Sequence, residues 1–294
     1  YIERHTLGFD ALAERARAFD PDRVAALCGI TADEITGFAR DYWTLKPAVI
    51  RLNYGMQRTR GGGNAVRAVA SLPALTGHWR HPAGGLLLST SGAYAVDEAA
   101  LYRPDLLAGR RPRTINMSTI GRDLLEADPP IEALIVYDSN PVAIAPQSSE
   151  VARGFAREDL FTVVLEHFRT DTADYADWLL PATTQLEHFD VHKTYGHWYV
   201  LANNPAIAPL GQARSNSDVF RELAARMGFD EPALRATDEE IALDSMDWAS
   251  PQVGGVTLEQ LKRDGWAKMR HAAAPYADGG FPTPSGRCEF HSQR

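Results

Sequence analysis

Cysteine is nearly missing from this 294-residue sequence: there are two, Cys28 and Cys288, and no CxxC pair. Zinc and iron–sulfur sites need thiolates at close, repeated spacings, so the chain carries no thiolate-ligated metal cluster. Two thiols so far apart read as reduced residues of a core. Long apolar runs are missing as well. The longest, such as 133–137 and 161–165, have the length of buried strands and fall far below the roughly 20 residues of a membrane helix, so no membrane span is expected. There is no excess of positive charge: Lys+Arg 30 against Asp+Glu 38 leaves −8, which repels phosphodiester backbones and argues against nucleic-acid partners. A single nucleotide held by backbone amides remains compatible with that charge. GxGxxG, GKS/GKT, GxSxG and HExxH are all absent. An ordinary NAD site, a P-loop, a nucleophile elbow and a zincin helix are therefore unsupported.

What is present is an ordinary globular composition, 45% hydrophobic and 23% charged, of a length that predicts two domains. Apolar residues recur at helical spacing over 9–40, where Pro21 splits the run and Thr31-Ala32-Asp33-Glu34 has the pattern of a capping box. Residues 47–54 read as a strand, 55–63 as a glycine-rich loop and 64–76 as a helix. A Pro/Gly-punctuated stretch places a domain boundary near Ser91. Beyond it, strands at 113–116, 131–137, 160–166 and 178–180 alternate with helices at 120–127, 149–156 and 172–176. Such alternation implies parallel pairing through crossovers, hence an α/β fold with open, mostly parallel sheets and helices on both faces. Helices are expected after Ser215, which caps one ended by Gly228, and at 239–246 and 257–266. The boundaries are 1–91, 92–274 and a linker-like 275–294 that starts a further domain. The six tryptophans are scattered and read as core residues.

Ligands in open α/β sheets sit at the carboxyl ends of parallel strands. Three strand ends here are polar. The first closes on Asp138-Ser139-Asn140-Pro141, where Asn140 can offer a donor and an acceptor to a base edge, although an Asn-Pro pair also makes a plain turn. The second closes on Glu166, placed as a ribose-binding carboxylate would be. The third feature is the run 167–173, whose hydroxyls and free amides can hold phosphate oxygens or simply cap a helix at Thr170. In the first domain, Gly61-Gly62-Gly63 beside Arg58 and Arg60 admits a bulky or anionic ligand. His188, His192 and His197 lie in a partly extended stretch that does not match a zinc motif.

The residues 160–187 closely resemble the molybdopterin-dinucleotide oxidoreductases, the group of dimethyl sulfoxide reductases, formate dehydrogenases and nitrate reductases. The resemblance rests on Asn140-Pro141, Thr172-Ala173, Ala176-Asp177, Leu180-Pro181-Ala182-Thr183, Glu187 and Arg214-Ser215-Asn216. Upstream, Tyr54-Gly55-Met56-Gln57, Leu75-Thr76-Gly77 and Pro82-Ala83-Gly84-Gly85 look like the family's other pterin-side domain, and Phe281 to Gly286 resembles the start of its final β-rich domain.

The resemblance implies two pseudo-equivalent Rossmann-like domains and a molybdenum or tungsten ion held by two pterin guanine dinucleotides (bis-MGD). It implies transfer of an oxygen atom or hydrogen equivalents with two electrons. Asn140, Glu166, Thr170 and Asp190 would hold guanosine and diphosphate in one domain; Met56, Arg60 and Ser91 would border the pterin or its phosphates in the other. Relatives usually carry Asp where this chain has Glu166, and some carry a neutral amide at Arg60. The family's amino-terminal part, which can hold an iron–sulfur cluster and supplies the metal's protein ligand, and most of its last domain are not in this sequence. The chain therefore reads as an internal piece, inactive alone, whose partners are the remaining domains, a small-molecule substrate and an electron-transfer subunit. Cytoplasm is the default compartment, with periplasm following if a twin-arginine leader precedes it. The competing reading is a pterin-free structural or electron-relay homologue, as in the large peripheral subunit of respiratory complex I.

Overall fold

The computed structural model describes residues 1–291. The described residues divide into two compact units: 1–93 with 194–198 and 269–291, and 94–193 with 199–268.

The first unit opens with helices Phe9–Ala16, Pro21–Cys28 and Ala32–Thr44. Pro21 begins the second of these behind Asp20, whose side chain accepts from the Arg23 amide. Thr31 and Glu34 form the full capping box. None of the three buries a residue completely. Trp43 is accordingly 55% exposed, and with Trp178 and Trp266 also exposed the tryptophans are not uniformly core residues. Cys28 is exposed too, because it ends a helix whose outer face nothing covers among the described residues. Strand Val49–Arg51 pairs in parallel with Gly85–Leu87, the helix Gly62–Thr76 lying between them in sequence. The segment expected as a linker is packed in this unit: Tyr276 and Phe281 stack at 4.4 Å, and Cys288–Glu289 pairs in parallel with Thr6–Leu7.

In the second unit Ala133–Tyr137, Phe161–Glu166 and Trp178–Pro181 form a parallel sheet in sequence order. Alternation buries Val136 and Val164 on one face, where they meet Leu124, Val151, Phe155 and Leu160. Those four come largely from the helices Ile120–Glu126 and Ser148–Phe155. The helix Asn216–Arg226 reaches the other face, where Phe220 meets Tyr137 edge-on at 5.2 Å. Residues 113–116 form no strand: they pair with no neighbour among the described residues, Asn116 caps the 3₁₀ turn Met117–Thr119, and the Arg113 guanidinium donates to the Pro129 carbonyl at 2.8 Å. The helix expected over 172–176 is a single 3₁₀ turn, Ala173–Tyr175. An antiparallel sheet, Asp190–Lys193, Tyr199–Asn203 and Trp266–Lys268, completes the unit.

Candidate functional site

The three parallel strands run the same way, so their carboxyl ends deliver the segments 138–140, 167–171 and 182–187 to one side of the sheet. Beside them lies a cavity of about 850 Å³, bordered by Asp138, His167, Gln185 and His188 among others. That volume is within the range of small-molecule sites, roughly 300–1,000 Å³.

Thr183 organises its floor. Only 5% exposed, it donates its amide to the Arg214 carbonyl at 3.1 Å and offers its own carbonyl to His167 Nε2 at 2.8 Å. A carbonyl only accepts, so His167 carries its proton on Nε2 and leaves Nδ1 as the open nitrogen. Thr183 Oγ1 lies 2.9 Å from His188 Nδ1, leaving Nε2 of that ring without a hydrogen bond from the described residues. Two imidazoles are thus fixed by one buried threonine. Across the site Asn216 Nδ2 donates to Asp138 Oδ1 at 3.3 Å. Asp138 has φ +52, a left-handed conformation rare outside glycine and common at functional turns.

Glu187 holds the loop. It is 8% exposed and accepts from Thr184 N (2.7 Å), Thr184 Oγ1 (2.9 Å) and Leu210 N (2.6 Å). These bonds, the Thr184 amide first, hold its carboxyl below the usual glutamate range. An ionised acceptor there ties 184–187 to residue 210.

Of the residues expected from sequence, Asp190 borders the cavity at the start of its strand, with Oδ2 3.9 Å from His192 Nδ1. Asn140, Glu166 and Thr170 do not border the cavity; they bond within the loops that follow the first two parallel strands. Asn140 Oδ1 accepts from Thr172 N and Oγ1, and its Nδ2 donates to Asp171. Glu166 Oε1 accepts from the His167 amide at 2.7 Å, and Thr170 Oγ1 accepts from Ala173 N at 3.4 Å. Met56, Arg60 and Ser91 belong to the first unit. There a Cβ on Gly62 would stand 2.5 Å from the Met56 carbonyl, so glycine is what lets the loop fold onto its helix. Arg60 is exposed next to Gly61 (φ +76), and Ser91 donates its amide to Ser89 Oγ at 3.1 Å. His188, His192 and His197 have separate surroundings, and among the described residues no three His, Cys, Asp or Glu gather as a metal site. Sequence reading held His167 only within the run 167–173 and Thr183 only within the motif 180–183, and gave neither side chain a role; the signal was their place within two residues of a strand end.

Comparison with known proteins adds the identity. The family model for molybdopterin oxidoreductases matches residues 17–226, more than two thirds of the sequence. The chain belongs to the molybdopterin oxidoreductase family. It is 39% identical to the probable oxidoreductase YoaE of Bacillus subtilis (strain 168), matching 100% of this chain and 43% of that protein. It is 27% identical to the dimethyl sulfoxide reductase DmsA of Escherichia coli (strain K12), over 93% of this chain and 37% of that protein. The fold is similar to that of acetylene hydratase from Pelobacter acetylenicus, with a TM-score of 0.68 and 21% identity over 99% of this chain and 45% of that one. The chain spans less than half the length of each of these relatives.

Proposed function

We propose that this chain is a cofactor-binding part of a molybdenum or tungsten oxidoreductase that uses a pterin guanine dinucleotide, and that the second unit receives the nucleotide end. The observation that carries this reading is the cavity at the carboxyl ends of three parallel strands. Its donor set fits a nucleotide. Asp138 and Asp190 offer acceptors to base or ribose, while His188, His192 and Lys193 offer N–H donors to a diphosphate. When bound, the pterin-held metal supplies the two-electron chemistry, moving an oxygen atom or hydrogen equivalents. The chain's own residues bind and orient. Thr183 fixes two imidazoles, Glu187 holds the loop that leads into His188, Glu166 accepts from the His167 amide, and Asn140 and Thr170 brace the chain at 172–173. Met56, Arg60 and Ser91 are assigned to the pterin side, in the first unit. Turnover needs parts that the longer relatives possess, so the isolated chain is inactive, and the remaining domains and an electron-transfer subunit are its partners.

The test is to express the chain in cells that make the molybdenum cofactor and analyse the purified protein for guanine nucleotide after acid release. Guanosine diphosphate should also bind the chain in calorimetric titration. Absence of both, in a folded sample, would favour the pterin-free relay reading instead.

A further inference from the structure

Phe168 lies two residues past the central strand of the second unit and is 77% exposed, yet it borders the cavity, as Phe189 and Leu101 also do. A lone exposed phenylalanine is ordinary on a protein surface. This one stands between two tethered neighbours. His167 is held through its amide by Glu166 and through Nε2 by the Thr183 carbonyl, while Arg169 Nε donates to Asp174 Oδ1 at 2.7 Å. Fixed chain on both sides presents the ring without the freedom of a loop tip. The Phe168 ring meets the His167 imidazole at 88°, centroids 6.2 Å apart. A planar group lying flat on Phe168 therefore meets that imidazole at a right angle, and the acceptors Asp138 and Gln185 border the same space.

Asn140, the residue expected to read a base by its edge, has both lobes of its amide engaged by Thr172 and Asp171. Recognition through a base's face needs no such edge contact, because every base has a π-surface and purines have the larger one. We propose that Phe168 is the stacking platform for the base of a purine nucleotide in this cavity. The proposal rests on the reading that a nucleotide binds there, and makes ring stacking the main source of its preference for purines over pyrimidines.

The test titrates the 294-residue chain with guanosine diphosphate, cytidine diphosphate and base-free pyrophosphate, using the parent and the Phe168→Ala, Phe168→Leu and Phe168→Trp variants. The ring is exposed, so circular dichroism should show all four folded alike. Phe168→Ala and Phe168→Leu should weaken guanosine diphosphate by about 5- to 100-fold and leave pyrophosphate within about twofold. Phe168→Trp should retain affinity, and its added indole fluorescence should be quenched as the purine binds. Unchanged guanosine diphosphate affinity in Phe168→Ala and Phe168→Leu, or an unquenched indole at saturation, would overturn the stacking role while leaving the nucleotide site standing. A parent chain that binds none of the three ligands would overturn the site reading and the platform together.

Discussion

Asn140 Oδ1 accepts two hydrogen bonds from Thr172, one from the amide at 3.1 Å and one from the hydroxyl at 2.7 Å, while Thr172 Oγ1 accepts from the Val142 amide at 3.1 Å. Thr172 is fully buried, so water cannot replace these partners. The pair latches the loop after one parallel strand to the loop after the next. Asn140→Ala should therefore cost about 1–3 kcal/mol, the range for a buried group left without its partner. Thr172→Ser, which keeps the hydroxyl, should cost less than Thr172→Val. A double-mutant cycle in urea should show the two sites coupled; additive losses would mean the latch is not a unit.

Glu187 ties pH to the stability of the candidate site. Its folded carboxyl lies below the ordinary range because it accepts from the Thr184 and Leu210 amides and the Thr184 hydroxyl. A depressed folded pKa means that the unfolded chain takes up the proton first as pH falls. The stabilisation is then complete above the ordinary glutamate range, near pH 4.5, and is lost as pH drops through the depressed value. Glu187→Gln should be less stable than the parent at pH 7, with the difference shrinking toward pH 3.5. Urea midpoints measured across that interval check it, and a constant difference would exclude the ionised carboxylate as the cause.

Much of the fold was legible because its signals are local. Pro21, the Thr31 and Glu34 pair and Ser215 act within one helical turn, and each begins a helix at or beside the expected residue. The apolar runs ending at Tyr137 and Glu166 became parallel neighbours because the helix Ser148–Phe155 between them carries the chain back for a crossover. The antiparallel sheet was not legible. Its strand Asp190–Lys193 lacks apolar alternation, and Leu201 finds its partner Trp266 far along the chain. The strand ends lie beside the cavity, yet Asn140, Glu166 and Thr170 do not border it, and the contacts that organise its floor were hidden. Asn140 meets Thr172 and Thr183 meets Arg214 only after the chain has folded, and no spacing rule encodes either contact.

Two glycines should respond to alanine with opposite signs. Gly121 lies where its helix crosses Ser148–Phe155, and a Cβ there would stand 2.6 Å from the Val151 nitrogen and 2.8 Å from the Glu150 carbonyl carbon. Backbone cannot yield as a flexible side chain does, so Gly121→Ala should destabilise by about 1–3 kcal/mol. Gly37 sits inside the helix Ala32–Thr44 with nothing within 4 Å of an added Cβ. Gly37→Ala should stabilise by about 0.4–1 kcal/mol through lost freedom of the unfolded chain. Chemical denaturation of both variants decides it; a neutral Gly121→Ala would show that the helices can part at little cost.

His78 is fully buried, and its ring joins two segments of the first unit. Nε2 is 2.7 Å from the Tyr42 carbonyl, and Nδ1 accepts from the Ala48 amide at 3.3 Å. A carbonyl requires a donor and an amide requires an acceptor, so the ring is the neutral tautomer with its proton on Nε2. Its role is structural, since neither nitrogen is open to a ligand. Phe would preserve ring area but leave both backbone groups unpaired in a site closed to water. His78→Phe should therefore cost about 2–4 kcal/mol, counting about 1–3 for each stranded group with partial relaxation. Nitrogen chemical shifts of the imidazole read the tautomer directly, and urea unfolding reads the loss. A His78→Phe protein as stable as the parent would show that the bonds to Tyr42 and Ala48 contribute nothing to holding the helix end against the strand that follows.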